Sequence, residues 1–249
     1  MTINLKSLEK IGYFSFLIGL FILPTMFFFA AICLLLAGLI SSFTKRENYF
    51  SDNWNRSFFI CGLLILISIF RHLLKFNNPY GDVLDANLSI IGSFNWLPFF
   101  WLFWALQPYV DSSKKRKKAA FLLIAGTFPV LISGFGQYFF NWTGPFETLK
   151  GLIIWYQRPI ESPGGLSGLF SNQNYAGSWL NFVWPFCLAL ILEKRTNIFR
   201  KTAAYSFLIS TGIAAFLTFS RNAWLGLITS FPIVTGKKGV KFLLPLITI

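Results

Sequence analysis

Two short polar segments of this largely apolar chain have residue types that suit the binding of an anion. Asn172 and Asn174 end the segment Gly168–Asn174, directly before an apolar run that predicts a helix. Polar side chains at the positive end of a helix suit a phosphate group. Arg221 lies between two later apolar runs, and arginine is the side chain best suited to bidentate phosphate binding. The two segments are therefore candidate phosphate sites.

Each of these residues also has a simpler interpretation, which the sequence leaves open. Asn172 or Asn174 can cap the following helix by accepting from its first N–H groups, and one can cap while the other contacts a ligand. Arg221 can be a turn residue whose side chain extends to the lipid headgroups. Against the second interpretation, ionisable side chains at membrane depth usually face a cavity and serve function.

The elements that position these residues are predicted from composition. The chain has 249 residues, of which 55% are hydrophobic and 12% are charged, whereas soluble domains have about 25% charged residues. Its apolar runs are near the roughly 20 residues that cross a membrane, and they are continuous rather than alternating, which predicts helices. The predicted fold is an all-α, polytopic transmembrane bundle in a single membrane domain, residues 1–249.

About eight spans are predicted, with the start of a ninth at Phe242. The eight apolar segments are Ile11–Pro24, Met26–Phe43, Phe58–Phe70, Ile90–Val110, Ala119–Phe140, Tyr175–Leu192, Thr202–Thr218 and Ala223–Val234. Pro98, Pro129 and Pro185 lie within them and predict kinks. Thr202–Val234 has too few residues for two full crossings, so the tip at Ser220 and Arg221 is expected to lie below the outer surface.

Orientation follows from the basic residues, which concentrate in cytoplasmic loops. Lys114–Lys118 is five consecutive basic residues in a short loop, so this loop is expected in the cytoplasm. Alternation from this loop places the N-terminus inside and Asn141–Asn174 outside, and it assigns 17 of the 22 Lys and Arg residues to the cytoplasmic side. Because the net charge of +13 maps onto one face, we exclude a nucleic-acid partner.

The outer loop Asn141–Asn174 exceeds the usual length of a connection and is expected to have structure or function of its own. Within it, Gly151–Tyr156 is predicted to form an amphipathic or re-entrant piece. Glu147 and Glu161 are its acidic residues, and neither can be assigned as a catalytic base from the sequence. The catalytic residues are therefore unknown at this stage.

The two polar segments resemble motifs of the O-antigen ligase and polymerase superfamily. Gly168–Gly177 resembles its Gly-x-Phe-x-Asn-x-Asn segment, and Thr218–Gly226 resembles its Ser-Arg-x-Ala motif. The close resemblance covers roughly Gly165–Leu227, within a family-like region, residues 165–249, that is incomplete at its C-terminal end. The chain therefore resembles a truncated member of the superfamily.

The resemblance implies a glycosyltransferase of the bacterial inner membrane. Such proteins take an oligosaccharide from an undecaprenyl-pyrophosphate carrier at the outer face and transfer it to a glycan or lipid acceptor, without a metal or another cofactor. Asn172, Asn174, Ser220 and Arg221 are then expected to bind the pyrophosphate. Many relatives have an arginine shortly before the first motif, where this chain has Gly164-Gly165-Leu166, and Arg158 is the candidate replacement.

Two other functions remain open. One is a membrane transporter for inorganic carbon or another small solute, and the other is an inactive, truncated membrane protein. A transporter is expected to show internal repeats and paired broken helices at the midplane. The sequence has no convincing repeat, and its distinctive polar residues are predicted at the outer face, which favours the transferase.

Overall fold

The eight apolar segments between Ile11 and Val234 are helical in the structure, a computed structural model that describes residues 5–44, 48–73, 86–161, 164–192, 198–236 and 239. The helices are α1 Leu5–Ile22, α2 Phe27–Thr44, α3 Asn53–Leu73, α4 Ala86–Ser93, α5 Leu97–Ala105, α6 Ser113–Gly126, α7 Phe128–Phe140, α8 Gln173–Ile191, α9 Ile198–Leu217 and α10 Arg221–Thr235. In the described residues, one antiparallel pair, β1 Phe146–Thr148 and β2 Ile153–Trp155, interrupts the helical pattern. The prediction of an all-α fold is confirmed.

Four helical segments in the described residues are long and apolar enough to cross a membrane. These are Phe27–Thr44, Asn53–Leu73, Leu88–Ala105 and Ser113–Phe140, and Lys201–Leu217 is a shorter apolar helix. Only 6% of the Asn53–Leu73 segment is buried inside the protein, so its apolar side chains need a nonaqueous surrounding. These helices support a membrane protein.

Four spans are fewer than the eight, with the start of a ninth, that the sequence predicts. The first turns of α1 carry Lys6, Glu9 and Lys10, which shortens its apolar part. α10 has 15 residues, about 22 Å of helix, against a hydrocarbon core of about 30 Å. The segment that begins at Phe242 lies outside the described residues.

Residues 1–16 and 34–116 form the first of two compact units. Aromatic rings contribute to its packing. The ring of Phe58 stacks on Phe100 with centroids 5.1 Å apart and meets Phe103 edge to face at 4.9 Å. The Tyr109 hydroxyl donates to the carbonyl oxygen of Ala37 at 3.1 Å, which ties the segment after α5 to the second half of α2.

Residues 17–33 and 117–249 form the second unit. Its core is a cluster of buried apolar side chains from α7, α8, α9 and the loop before α8: Val130, Leu131, Leu166, Leu169, Ala176, Leu180, Ala214 and Ala215. α8 packs against both α9 and α10. A Cβ at Gly177 would lie 3.0 Å from Ala223, and one at Gly226 would meet the side chain of Asn181. Successive turns of α8 therefore meet successive turns of α10, so the two helices run parallel.

Candidate anion-binding site

The loop between α7 and α8 folds back beside α7. Asn141, in the left-handed conformation (φ 53°), ends α7, and the β1–β2 hairpin follows. Gly151–Tyr156, predicted as an amphipathic or re-entrant piece, instead forms the end of the hairpin turn and the β2 strand. After β2, the amide of Tyr156 donates to Leu169 O and the amide of Gln157 donates to Gly168 O. The two ends of the loop are thereby held side by side.

The buried side chain of Gln137 on α7 holds the loop in this position. Gln137 Nε2 donates to the carbonyl oxygen of Arg158 and to Ser167 Oγ. Its Oε1 accepts from the backbone amides of Ser167 and Gly168 at 2.9 and 2.8 Å. Four hydrogen bonds therefore join Gln137 to both halves of the loop. Since unpaired buried polar groups are costly, these bonds fix the position of the loop on α7.

In a second buried amide side chain of the loop, one of the two polar atoms has no hydrogen-bond partner in the described part of the chain. Gln157 is 2% exposed, and its Oε1 accepts from Ser133 Oγ at 2.8 Å. Its Nε2 has no hydrogen-bond partner among the described residues. Gln157 also has a positive φ of 37°, which is strained for a residue with a side chain. The conformation of Gln157 is therefore unfavourable by itself, and the surrounding structure holds the residue in it.

The start of α8 is capped as one of the two sequence interpretations predicts. Asn172, with extended backbone dihedrals, is the N-cap, and its Oδ1 accepts from the amides of Asn174 and Tyr175 at 2.9 and 3.0 Å. Gln173 Oε1 accepts from the amide of Gly165, which anchors the preceding loop. The side chain of Asn174 is exposed. Asn172 therefore has a structural role, and Asn174 is the asparagine available to a ligand.

The α9–α10 hairpin places Ser220 and Arg221 at its tip, as predicted. Ser220 is the N-cap residue of α10, and Arg221 is its first helical residue. A Cβ at Gly177 on α8 would lie 3.1 Å from Ser220 Cβ, so a side chain at this position would crowd the start of α10. Leu166 also donates through its amide to Leu217 O at 2.9 Å. The loop before α8 and the hairpin tip thus form one packed group.

The hairpin tip is recessed relative to the end of α7. A Cβ at Gly134, in the middle of α7, would meet the side chain of Leu166, and the Leu166 amide donates to Leu217 O at the end of α9. About 9 Å of α7 follows Gly134. The end of α9 therefore lies beside the middle of α7 rather than beside its C-terminal end.

The structure places the predicted site residues on adjoining elements. Asn172, Asn174, Ser220 and Arg221 all lie in the first turns or at the caps of α8 and α10. Arg158 is connected to this group through its backbone, since Gln137 binds both its carbonyl and Ser167. The side chains of Arg158 and Arg221 are exposed.

This arrangement can bind an anion. Two parallel helices that begin about one turn apart direct their positive dipole ends to the same region, and within the described part of the chain the N-cap Ser220 of α10 makes no side-chain hydrogen bond to the first N–H groups of that helix. Arg221 adds a full positive charge at the first position of one of them. In the residues that the structure describes, no group of histidine, cysteine or acidic side chains could hold a metal ion.

Sequence reasoning missed Gln137 and Gln157. The signal for Gln137 was present, because it is an amide side chain inside the apolar run Ala119–Phe140, and polar groups within membrane helices usually have a specific partner. Gln157 has no such signal, since its burial follows from the course of the loop.

Comparison with known proteins returns no match to this chain among family models, curated proteins or solved structures. The function is therefore argued from the residues of the site and from the resemblance of its two motifs.

Proposed function

We propose that this protein binds the pyrophosphate of an undecaprenyl-linked oligosaccharide and transfers the glycan to a glycan or lipid acceptor. The observation that carries the proposal is the contact of Gly177 with Ser220 and Ala223, which places the start of α10 beside the second turn of α8. The two motifs that resemble the O-antigen ligase superfamily end at these turns. A pyrophosphate needs several N–H donors and cations at once, and this is what the arrangement offers.

The chemistry required of the site is stabilisation of a leaving group. An acceptor hydroxyl attacks the anomeric carbon of the glycan, the bond from that carbon to the pyrophosphate oxygen breaks, and the carrier leaves as undecaprenyl pyrophosphate. The hydroxyl proton passes to a base that we leave unassigned. Fixed cations and helix N-termini near the leaving oxygen lower the barrier because they are in place before the charge develops. Arg221 and Arg158 are the cations proposed for this role.

The proposal places the protein in the bacterial inner membrane with a cytoplasmic N-terminus and Asn141–Asn174 at the outer face. The distribution of basic residues supports this orientation. Trp155 Nε1 also donates to Thr25 O at 3.0 Å, and both residues belong to segments for which the charge pattern predicts the outer face. A site at this face would receive a lipid-linked glycan from the outer leaflet.

The test uses the purified chain in nanodiscs with undecaprenyl pyrophosphate and undecaprenyl monophosphate as probes. We expect the pyrophosphate to bind more tightly and Arg221→Lys to weaken it about tenfold or more, because lysine keeps the charge but loses the bidentate fork. Arg158→Ala is expected to weaken it as well. Arg71→Lys, which changes an exposed arginine of the first unit, is the control and should leave binding unchanged.

Equal binding of the two probes would contradict the proposal, as would full pyrophosphate binding by Arg221→Ala. Transfer itself is measured with an undecaprenyl-pyrophosphate oligosaccharide by release of the carrier in the presence of an acceptor. Solute uptake into proteoliposomes without carrier release would support the transporter instead.

A further inference from the structure

A cavity of about 530 Å³ lies in the first unit, well away in sequence from the two motifs. It is lined by the start of α1, the end of α2 and the segment Pro108–Lys115. Its volume falls within the range of about 300–1,000 Å³ typical of small-ligand sites. Three lysines line it, Lys6, Lys10 and Lys115, against two carboxylates. The lining therefore has an excess of positive charge.

Lys115 is already held in place at this cavity. Its Nζ donates to the carbonyl oxygen of Pro108 at 2.7 Å and to Asp111 Oδ2 at 2.9 Å, and it lies 6.0 Å from the ring centroid of Tyr13. The hydrogen bond from Lys115 lowers the pKa of the Asp111 carboxyl, so Asp111 is ionised at neutral pH. An ammonium group has three donors, and these two contacts leave one for a ligand.

Ser41 supplies an independent observation. It lines the cavity, is 1% exposed, and its hydroxyl interacts with that of Tyr109. A helical serine commonly donates to the carbonyl four residues earlier, as Ser42 does to Gly38 O. For Ser41 that carbonyl belongs to Ala37, and it already accepts from the Tyr109 hydroxyl. The Ser41 hydroxyl thus interacts with a neighbouring hydroxyl in the cavity wall rather than with a carbonyl, and a phosphate oxygen can take the place of that hydroxyl as its acceptor.

The surroundings of the cavity are apolar. On α1, Ile11 and Phe14 are more than half exposed, and on α2, Leu39 and Phe43 are 49% and 82% exposed. These side chains occupy the same helical turns as the cavity lining but are not part of it. Since α2 is one of the four helices able to span a membrane, its exposed apolar side is where acyl chains would lie.

We propose that this cavity binds the phosphate of an anionic phospholipid, with Lys10, Lys115 and Ser41 as its donors and the acyl chains against the exposed apolar side chains of α1 and α2. Basic pockets between membrane helices are suited to anionic headgroups. A soluble phosphate compound would satisfy the same donors, but it would leave the neighbouring apolar surface uncovered. This inference depends on the membrane placement and is independent of the transferase proposal.

The experiment measures lipid retention by the purified full chain with native mass spectrometry. The probes are phosphatidylglycerol and phosphatidylcholine with identical acyl chains, and glycerol 3-phosphate is the soluble competitor. We expect preferential retention of phosphatidylglycerol and a loss of about fivefold in Lys115→Gln, from the contribution of one basic residue near an anionic lipid. Lys114→Gln removes the same charge from an exposed neighbour outside the cavity and should change nothing.

Ser41→Ala separates ligand binding from folding. Because Tyr109 keeps its hydrogen bond to Ala37 O without the Ser41 hydroxyl, the substitution should change the thermal midpoint little while it weakens phosphatidylglycerol retention. Equal retention of the two lipids, or equal effects of Lys114→Gln and Lys115→Gln, would overturn the proposal. Displacement of phosphatidylglycerol by glycerol 3-phosphate at equal concentration would identify a soluble ligand and would also overturn it.

Discussion

Replacing Gln137 by leucine should release the loop that carries Arg158. Leucine has nearly the same volume and suits the apolar helix α7, so the core around it is preserved. What is lost are the four hydrogen bonds of the amide to Arg158, Ser167 and Gly168. We therefore expect a local effect on the loop rather than unfolding of the helices.

The size of the effect follows from the groups left without partners. The amides of Ser167 and Gly168 are buried and would lose their acceptor. Each unsatisfied buried group costs about 1–3 kcal/mol, so the loop should be destabilised by about 2–6 kcal/mol. At the lower end of this range, local opening becomes about thirtyfold more frequent.

Amide hydrogen exchange measured by mass spectrometry on the protein in detergent is the suitable assay. Peptides that cover residues 157–172 should exchange about thirtyfold faster or more in Gln137→Leu, whereas peptides from α9 should be unchanged. Gln107→Leu, which removes an amide side chain from the first unit, is the control. Unchanged exchange at Ser167 and Gly168 would refute the role assigned to Gln137.

Two further predictions test the packing and the orientation. Gly177→Val should lower the thermal midpoint by several degrees, from an overpacking cost of about 1–3 kcal/mol, and it should abolish pyrophosphate binding. The control is Gly92→Val, which should change neither, because a Cβ at Gly92 has no neighbour within 4 Å among the described residues. In intact cells, a cysteine at Thr148 should react with a membrane-impermeant reagent added outside and a cysteine at Ser113 should not; the reverse pattern would invert the proposed orientation.

The helices could be predicted because apolar runs of this length satisfy their backbone groups only as helices when water is absent. The breaks were harder to predict. Pro129 and Pro98 were expected to kink continuous spans, but each stands within the first two positions of a new helix, α7 and α5, where a missing N–H costs nothing. The number of spans was overestimated because an apolar run does not show where its helix begins and ends. A helix that is short, or that has charged residues in its first turns, has too few apolar residues to cross the membrane.

The site was predictable at its helix ends and unpredictable in its loop. The N-cap role of Asn172 and the position of Arg221 at the hairpin tip follow from local rules about helix starts and chain reversals. The hairpin formed by β1 and β2 and the return of the loop onto Gln137 depend on contacts between residues distant in sequence. No local pattern reports such contacts, so Gln137 and Gln157 became visible only in the structure.

The structure also shows that the two motifs lie at the same end of the helical bundle, which the sequence alone does not show. The chain reverses direction before α9 and again after it, so α8 and α10 run parallel. The contact of Gly177 with Ser220 places the start of α10 beside the second turn of α8. Any membrane orientation must therefore place Asn174 and Arg221 on the same side. An inverted topology would move both to the cytoplasmic face, so a single labelling experiment at Thr148 decides whether either segment can meet a glycan carrier in the outer leaflet.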